Sequence, residues 1–90
     1  MEIPDKLLSF ELITEQGRLF AQPVQWVDVP ARTGRMTVMA GHQPFVAQLQ
    51  SGPVKIVTKN GRRETWTIAG GLLKVTSQGA AVIAAEAHTV

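Results

Sequence analysis

The 90-residue chain predicts an all-β domain of the sandwich or barrel class, on three observations. Chain breakers recur at short intervals, at Gly17, Pro23, Pro30, Gly34, Gly41, Pro44, Gly52-Pro53, Gly61, Gly70-Gly71 and Gly79, which leaves little room for helices of ordinary length. The runs between them alternate apolar and polar residues, the period of a strand with one face buried. The tetrad Lys59-Asn60-Gly61-Arg62 is a strong hairpin signal, because Asn-Gly accepts the two positive φ angles of a type I′ turn.

The elements follow in order. Leu8, Phe10 and Leu12 point one way from a first strand and Ser9 and Glu11 the other, with Leu7 and Ile13 also on the second side. In the run 24–29, Trp26 lies on one side and Val27 and Val29 on the other. An antiparallel sheet commonly leaves one face to water, so two apolar faces need a reason. Either the second face is a partner surface, or the chain curves at Pro23 and re-aims the side chains. Met36, Val38 and Met39 belong to the next strand, as core filler or as adaptable contact residues. Residues 54–59 and 63–68 form the arms of the Asn-Gly hairpin. Residues 72–76 and 81–85 form a second hairpin across Ser77-Gln78-Gly79, and the small-residue tail 80–87 reads as strand through Ala85.

The bulk numbers bound the function. With 44% hydrophobic and 18% charged residues, the chain reads as one folded domain over residues 1–90. It has no cysteine, so disulfides and thiolate metal sites are excluded. A net charge of +2 is far from the footprint of a nucleic-acid binder, and no aromatic residues interleave with Arg32, Arg35, Arg62 and Arg63 for base stacking. No apolar run approaches the ~20 residues of a membrane helix, and no signal peptide opens the chain. It reads as soluble and cytoplasmic.

Catalytic chemistry finds no support. His42 and His88 have none of the spacings of a metal site. Ser9, Ser51 and Ser77 lack a nucleophile elbow, the carboxylates form no acid/base couple, and the glycine-rich stretches lack the phosphate-binding pattern. No enzyme activity, metal or cofactor is expected. Trp26 and Trp66 could serve a sugar-binding sandwich as stacking platforms, although alternation beside Ile68 favours the core for Trp66. The loop 40–44 is stiffened by Gly41 and Pro44, which holds His42 in place and suits docking, since less entropy is lost on binding.

The order of residues carries a resemblance. Val29-Pro30, a short loop closing on Gly34, Val38, Gly41-His42-x-Pro44, Gly52-Pro53-Val54, Gly70-Gly71-x-x-x-Val75 and Val82-Ile83-Ala84 together resemble the N-terminal β-sandwich of the epsilon subunit of F-type ATP synthases, from Phe10 to Ala87. The resemblance implies a flattened antiparallel β-sandwich of about ten short strands in two sheets. It also implies a non-catalytic rotor subunit of the central stalk, held between the gamma shaft and the membrane c-ring on the cytoplasmic face. Carried over by position, Arg32, Thr33, Gly34, Arg35 and Met36, with His42, match the ring-facing region. Thr14, His42, Pro44 and Ala47 match the region near gamma. Four positions depart from the family pattern: Arg35 stands in place of the usual acid, Thr37 of a glycine, Ala40 of a proline and Lys74 of a glutamate. Arg35 reverses a charge, so either the ring loop it meets is less basic than usual, or Arg35 turns aside. The family's helical hairpin after the sandwich is not among these residues, and no inhibitory or nucleotide-binding role is expected of them. A stand-alone sandwich adaptor docking another protein is the alternative.

Overall fold

The computed structural model describes residues 6–41 and 43–90. Nine strands are seen among them: β1 Leu8–Thr14, β2 Gly17–Ala31, β3 Gly34–Val38, β4 Phe45–Leu49, β5 Gly52–Thr58, β6 Arg63–Ile68, β7 Gly71–Thr76, β8 Gly79–Ile83 and β9 Ala87–Thr89. Their hydrogen bonds run in the order β1-β8-β7-β4-β2-β5-β6-β9, with β3 on β2 and β1 also on β2. The 15-residue β2 serves both layers. Its first half pairs with β1, and its second half lies between β3 and β5. One layer is thus β2-β1-β8-β7-β4 and the other β3-β2-β5-β6-β9. Every ladder is antiparallel as expected except β1–β8, which is parallel; two strands so distant in sequence can run either way, since no tight turn joins them.

β2 can belong to two layers because its register slips between Val24 and Trp26, opposite Thr58 and Val57 of β5. The extra residue is Gln25. A bulge of this kind bends a strand and inverts the facing of everything beyond it. Phe20 and Val24 therefore point inward before Gln25, and Val27, Val29 and Ala31 point inward after it. Of the two readings for the apolar run 24–29, the change of facing is the one found: Val27 and Val29 are core, and only Trp26 looks outward. The bulge sits two residues past Pro23, itself on a stretch of β2 that pairs on one side only, an edge being where a strand tolerates proline.

The core lies between the layers. Phe10, Leu12, Val24, Leu73 and Val82 come from the first; Val27, Val29, Val38, Val54, Ile56 and Ile68 come from the second, and all are essentially inaccessible to solvent. Each such side chain contributes about 2 kcal/mol relative to exposure. Phe10 and Phe20, on neighbouring strands, meet with ring centroids 5.9 Å apart and planes tilted by 53°, a favoured aromatic geometry.

Both hairpins form, with altered turns. At β5–β6 no non-glycine residue has positive φ, and Gly61 alone turns left-handed at 84°. Gly61 N donates to Thr58 O at 2.9 Å, Thr58 N to Arg62 O at 2.8 Å and Arg62 N to Thr58 Oγ1 at 3.1 Å. The Thr58 hydroxyl takes one of the turn's amides, so the turn is not the expected type I′. At β7–β8 the turn is shorter than expected. Gly79 already pairs with Thr76, and the returning strand ends at Ile83. The tail then continues as β9, which pairs with β6.

Candidate docking surfaces

The outward side of the first layer keeps apolar residues that the other described residues do not cover. Ile13 pairs with Ile83, Ile83 with Leu72 and Leu72 with Gln48, so three aliphatic side chains form one row across β1, β8 and β7. Ile83 is 44% exposed and Val46, one row over, 60%. Glu11, Ala81 and Lys74 continue that second row to Val46. An exposed row of large aliphatics bordered by charges is the composition of a protein contact surface.

This row runs on toward the β2–β3 turn. Arg32 Nη1 donates to Gln48 Oε1 at 3.3 Å, and Arg32 N donates to Gln48 O at 3.0 Å. The turn bearing Arg32 and Thr33 therefore abuts the end of the apolar row. Arg35 does not project from it. Its Nη1 donates to Pro53 O at 2.9 Å, and its Nη2 to Asp28 O at 3.3 Å and Asp28 Oδ2 at 3.1 Å. Of the two outcomes open for the reversed charge, the side chain does turn aside, across β2 onto β5. Register explains this: Arg35 pairs with Pro30, two residues from Asp28 on the same side of β2, and Asp28 pairs with Lys55 of β5.

The other residues of the two predicted contact sets fall into different environments. Thr33 and Gly34 are exposed, and Met36 is half-buried against the core. Pro44 is exposed just before β4. Ala47 is half-buried and packs on the core from the inward side of β4. Thr14 is buried, and its Oγ1 accepts the Gln16 amide at 3.1 Å, so its hydroxyl holds the β1–β2 turn. Phe45, Val75, Ala80 and Phe10 lie in one register line; Thr14 therefore lies about 16 Å farther along β1 than Pro44's level, on a strand three places away. Thr14, Pro44 and Ala47 are not brought together as one patch. His42 lies outside the described residues. Sequence reasoning missed Leu72, Ile83 and Val46 as surface residues and Asp28 as the partner of Arg35. Alternation marks each as outward-facing, but only cross-strand register shows that they adjoin.

Neither tryptophan is an open platform. Trp66 packs against the core. Trp26 is half-buried, and the Arg63 guanidinium carbon lies 6.0 Å from its ring centroid, at the limit of a cation–π contact. Trp26 and Arg63 flank Val57 on either side, and this outward valine is only 6% exposed. Among the described residues no three His, Cys, Asp or Glu side chains gather to hold a metal ion, and no helix is long and apolar enough to cross a membrane.

Comparison with known proteins agrees with this architecture. A sequence profile described as ATP synthase, Delta/Epsilon chain, beta-sandwich domain matches residues 7–90. The ATP synthase epsilon chain of Chelativorans sp. (strain BNC1) is 32% identical over 85 residues, which cover 94% of this chain and 63% of the relative. That of Brucella suis (strain ATCC 23445 / NCTC 10510) is 31% identical over 82 residues, 91% of this chain and 61% of the relative. The chain thus spans less than two thirds of these relatives. Among solved structures, a chain of the Euglena gracilis mitochondrial ATP synthase (OSCP/F1/c-ring) superposes with a TM-score of 0.88 at 24% identity, over 99% of this chain and 56% of that one. A chain of the Tetrahymena thermophila mitochondrial ATP synthase (central stalk/c-ring) gives 0.75 at 13% identity, over 90% and 65%. At these identities the structural likeness speaks for the fold.

Proposed function

Because the chain belongs to the family of ATP synthase delta/epsilon-chain β-sandwich domains, we propose that it is a non-catalytic rotor component of an F-type ATP synthase. It couples the gamma shaft to the membrane c-ring and works at the cytoplasmic face of the membrane. The observation that carries this reading is the row Ile13–Ile83–Leu72 with Val46 beside it, left open by the other described residues, which borders directly on the Arg32 turn. One continuous surface then offers an apolar part to the shaft and a polar turn to the ring.

Co-purification tests it. The chain should bring down its shaft subunit. Ile13→Asp and Ile83→Asp, which place a charge in the contact while leaving the core intact, should weaken that association at least tenfold, equivalent to about 1.4 kcal/mol. Undiminished binding by both variants would remove the apolar row from the interface. A chain that sediments as an inert monomer and captures no shaft protein favours the stand-alone adaptor.

A further inference from the structure

The β2–β3 tip carries a charge pattern that names the chemistry of what it meets. Arg32 stands in the turn and Arg35 on β3, with a third cation, Lys55 of β5, farther back along the sheet opposite Asp28. Asp28 is the only carboxylate in β3, β5 and the second half of β2, and neither the β2–β3 turn nor the β4–β5 turn (Gln50, Ser51) has another. That single carboxylate is taken by Arg35 at 3.1 Å. Among the described residues, Arg32 has only the neutral Gln48 amide oxygen as a side-chain partner. The local sum is positive, and the two guanidiniums are held by hydrogen bonds rather than free to swing. Arg35 remains 41% exposed at its side chain, with N–H donors at Nε and Nη1 that its three bonds leave unengaged.

We propose that this tip is a preorganised cationic contact, and that the ring loop it meets presents carboxylates. The inference rests on the rotor reading above and adds the chemistry of the partner at that point. Two features favour a protein loop over an anionic lipid surface. Guanidinium donors held in fixed directions match the planar, bidentate geometry of a carboxylate. Recognition of a lipid surface draws on clusters of about four to eight cations, more than stand here.

The test uses the full chain bound to its shaft subunit, with the c-ring purified from the same source and captured on a surface. Arg32→Glu is the principal variant, because its side chain is exposed and its loss leaves the Arg35–Asp28 bonds intact. Arg32→Glu should weaken ring binding about fivefold, the scale of one partly screened ion pair, and the difference should vanish near about 0.5 M salt. Arg32→Lys should bind as the parent chain does. Ring binding that is unchanged or tighter in Arg32→Glu overturns the inference and leaves the rotor reading standing. Binding of the parent complex, but not Arg32→Glu, to phosphatidylglycerol vesicles without the ring assigns the charge to lipid and overturns it too. A parent complex that does not bind the ring at all overturns the rotor reading, and this inference with it.

Discussion

Arg35 and Asp28 stand seven positions apart in sequence and 3.1 Å apart in space, joined across the hairpin of β2 and β3. The guanidinium also reaches Pro53 O on β5, so one side chain ties three neighbouring strands together. Among the described residues β3 pairs with β2 alone, which makes the tie its main anchorage besides its own ladder and the packing of Met36 and Val38.

Removal of the tie should therefore be felt chiefly at β3. The pair is partly exposed, so its electrostatic share is modest, about 0.5 kcal/mol. Arg35→Ala also loses the bonds to two backbone carbonyls and should cost about 1 kcal/mol in all. Asp28→Asn should cost less. A double-mutant cycle by urea unfolding should return a coupling near the electrostatic share, and amide exchange should quicken first in residues 34–38.

Gly79 packs where no side chain fits. A Cβ there would lie 2.3 Å from Ser9 O and 3.0 Å from Ser9 Cβ. The obstacle is backbone on a paired strand, so relief requires β1 and β8 to separate. Gly79→Ala should destabilise by about 3 kcal/mol or more. Gly17 also has a positive φ, at 113°, but a Cβ there meets nothing within 4 Å. Gly17→Ala should cost only backbone strain, about 1 kcal/mol. Thermal unfolding of the two variants side by side separates steric from conformational cost.

The bulge at Gln25 makes a sharper demand. Deleting Gln25 would set Val24 directly beside Trp26 and keep Val27, Val29 and Ala31 inward in the same β2–β5 register, but it would remove the bend by which β2 passes from one layer to the other. The deletion should destabilise by about 2 kcal/mol or more while unfolding stays cooperative, whereas Gln25→Ala, which keeps the bulge and loses only the 3.4 Å bond from Nε2 to Lys59 O, should cost about 1 kcal/mol. Circular dichroism on heating distinguishes the two outcomes.

Trp26 and Arg63 jointly shelter Val57. Arg63→Ala should expose that valine and the indole face, with a stability loss of about 0.5–1 kcal/mol and a red shift in tryptophan emission. Arg62→Ala, at the neighbouring turn position, should leave the emission unchanged.

Much of this protein can be read directly from its residues. Period-two alternation in Leu8, Phe10 and Leu12 and in Val54 and Ile56 sets which side of each strand is buried, because successive side chains must point to opposite faces. Frequent glycine and proline set the strand ends, and Asn60-Gly61 places a hairpin. The same local rules failed at β2, where a single extra residue reverses the alternation, and at the Asn60-Gly61 turn, where the Thr58 hydroxyl offers its amide another partner. They were silent on which strands adjoin. The parallel β1–β8 ladder, the assembly of Ile13, Ile83 and Leu72 into one row, and the turning aside of Arg35 onto Asp28 and Pro53 each depend on register between segments distant in sequence. Pairing of that kind is decided by how the whole core closes, so a docking surface built across several strands takes shape only when the layers pack.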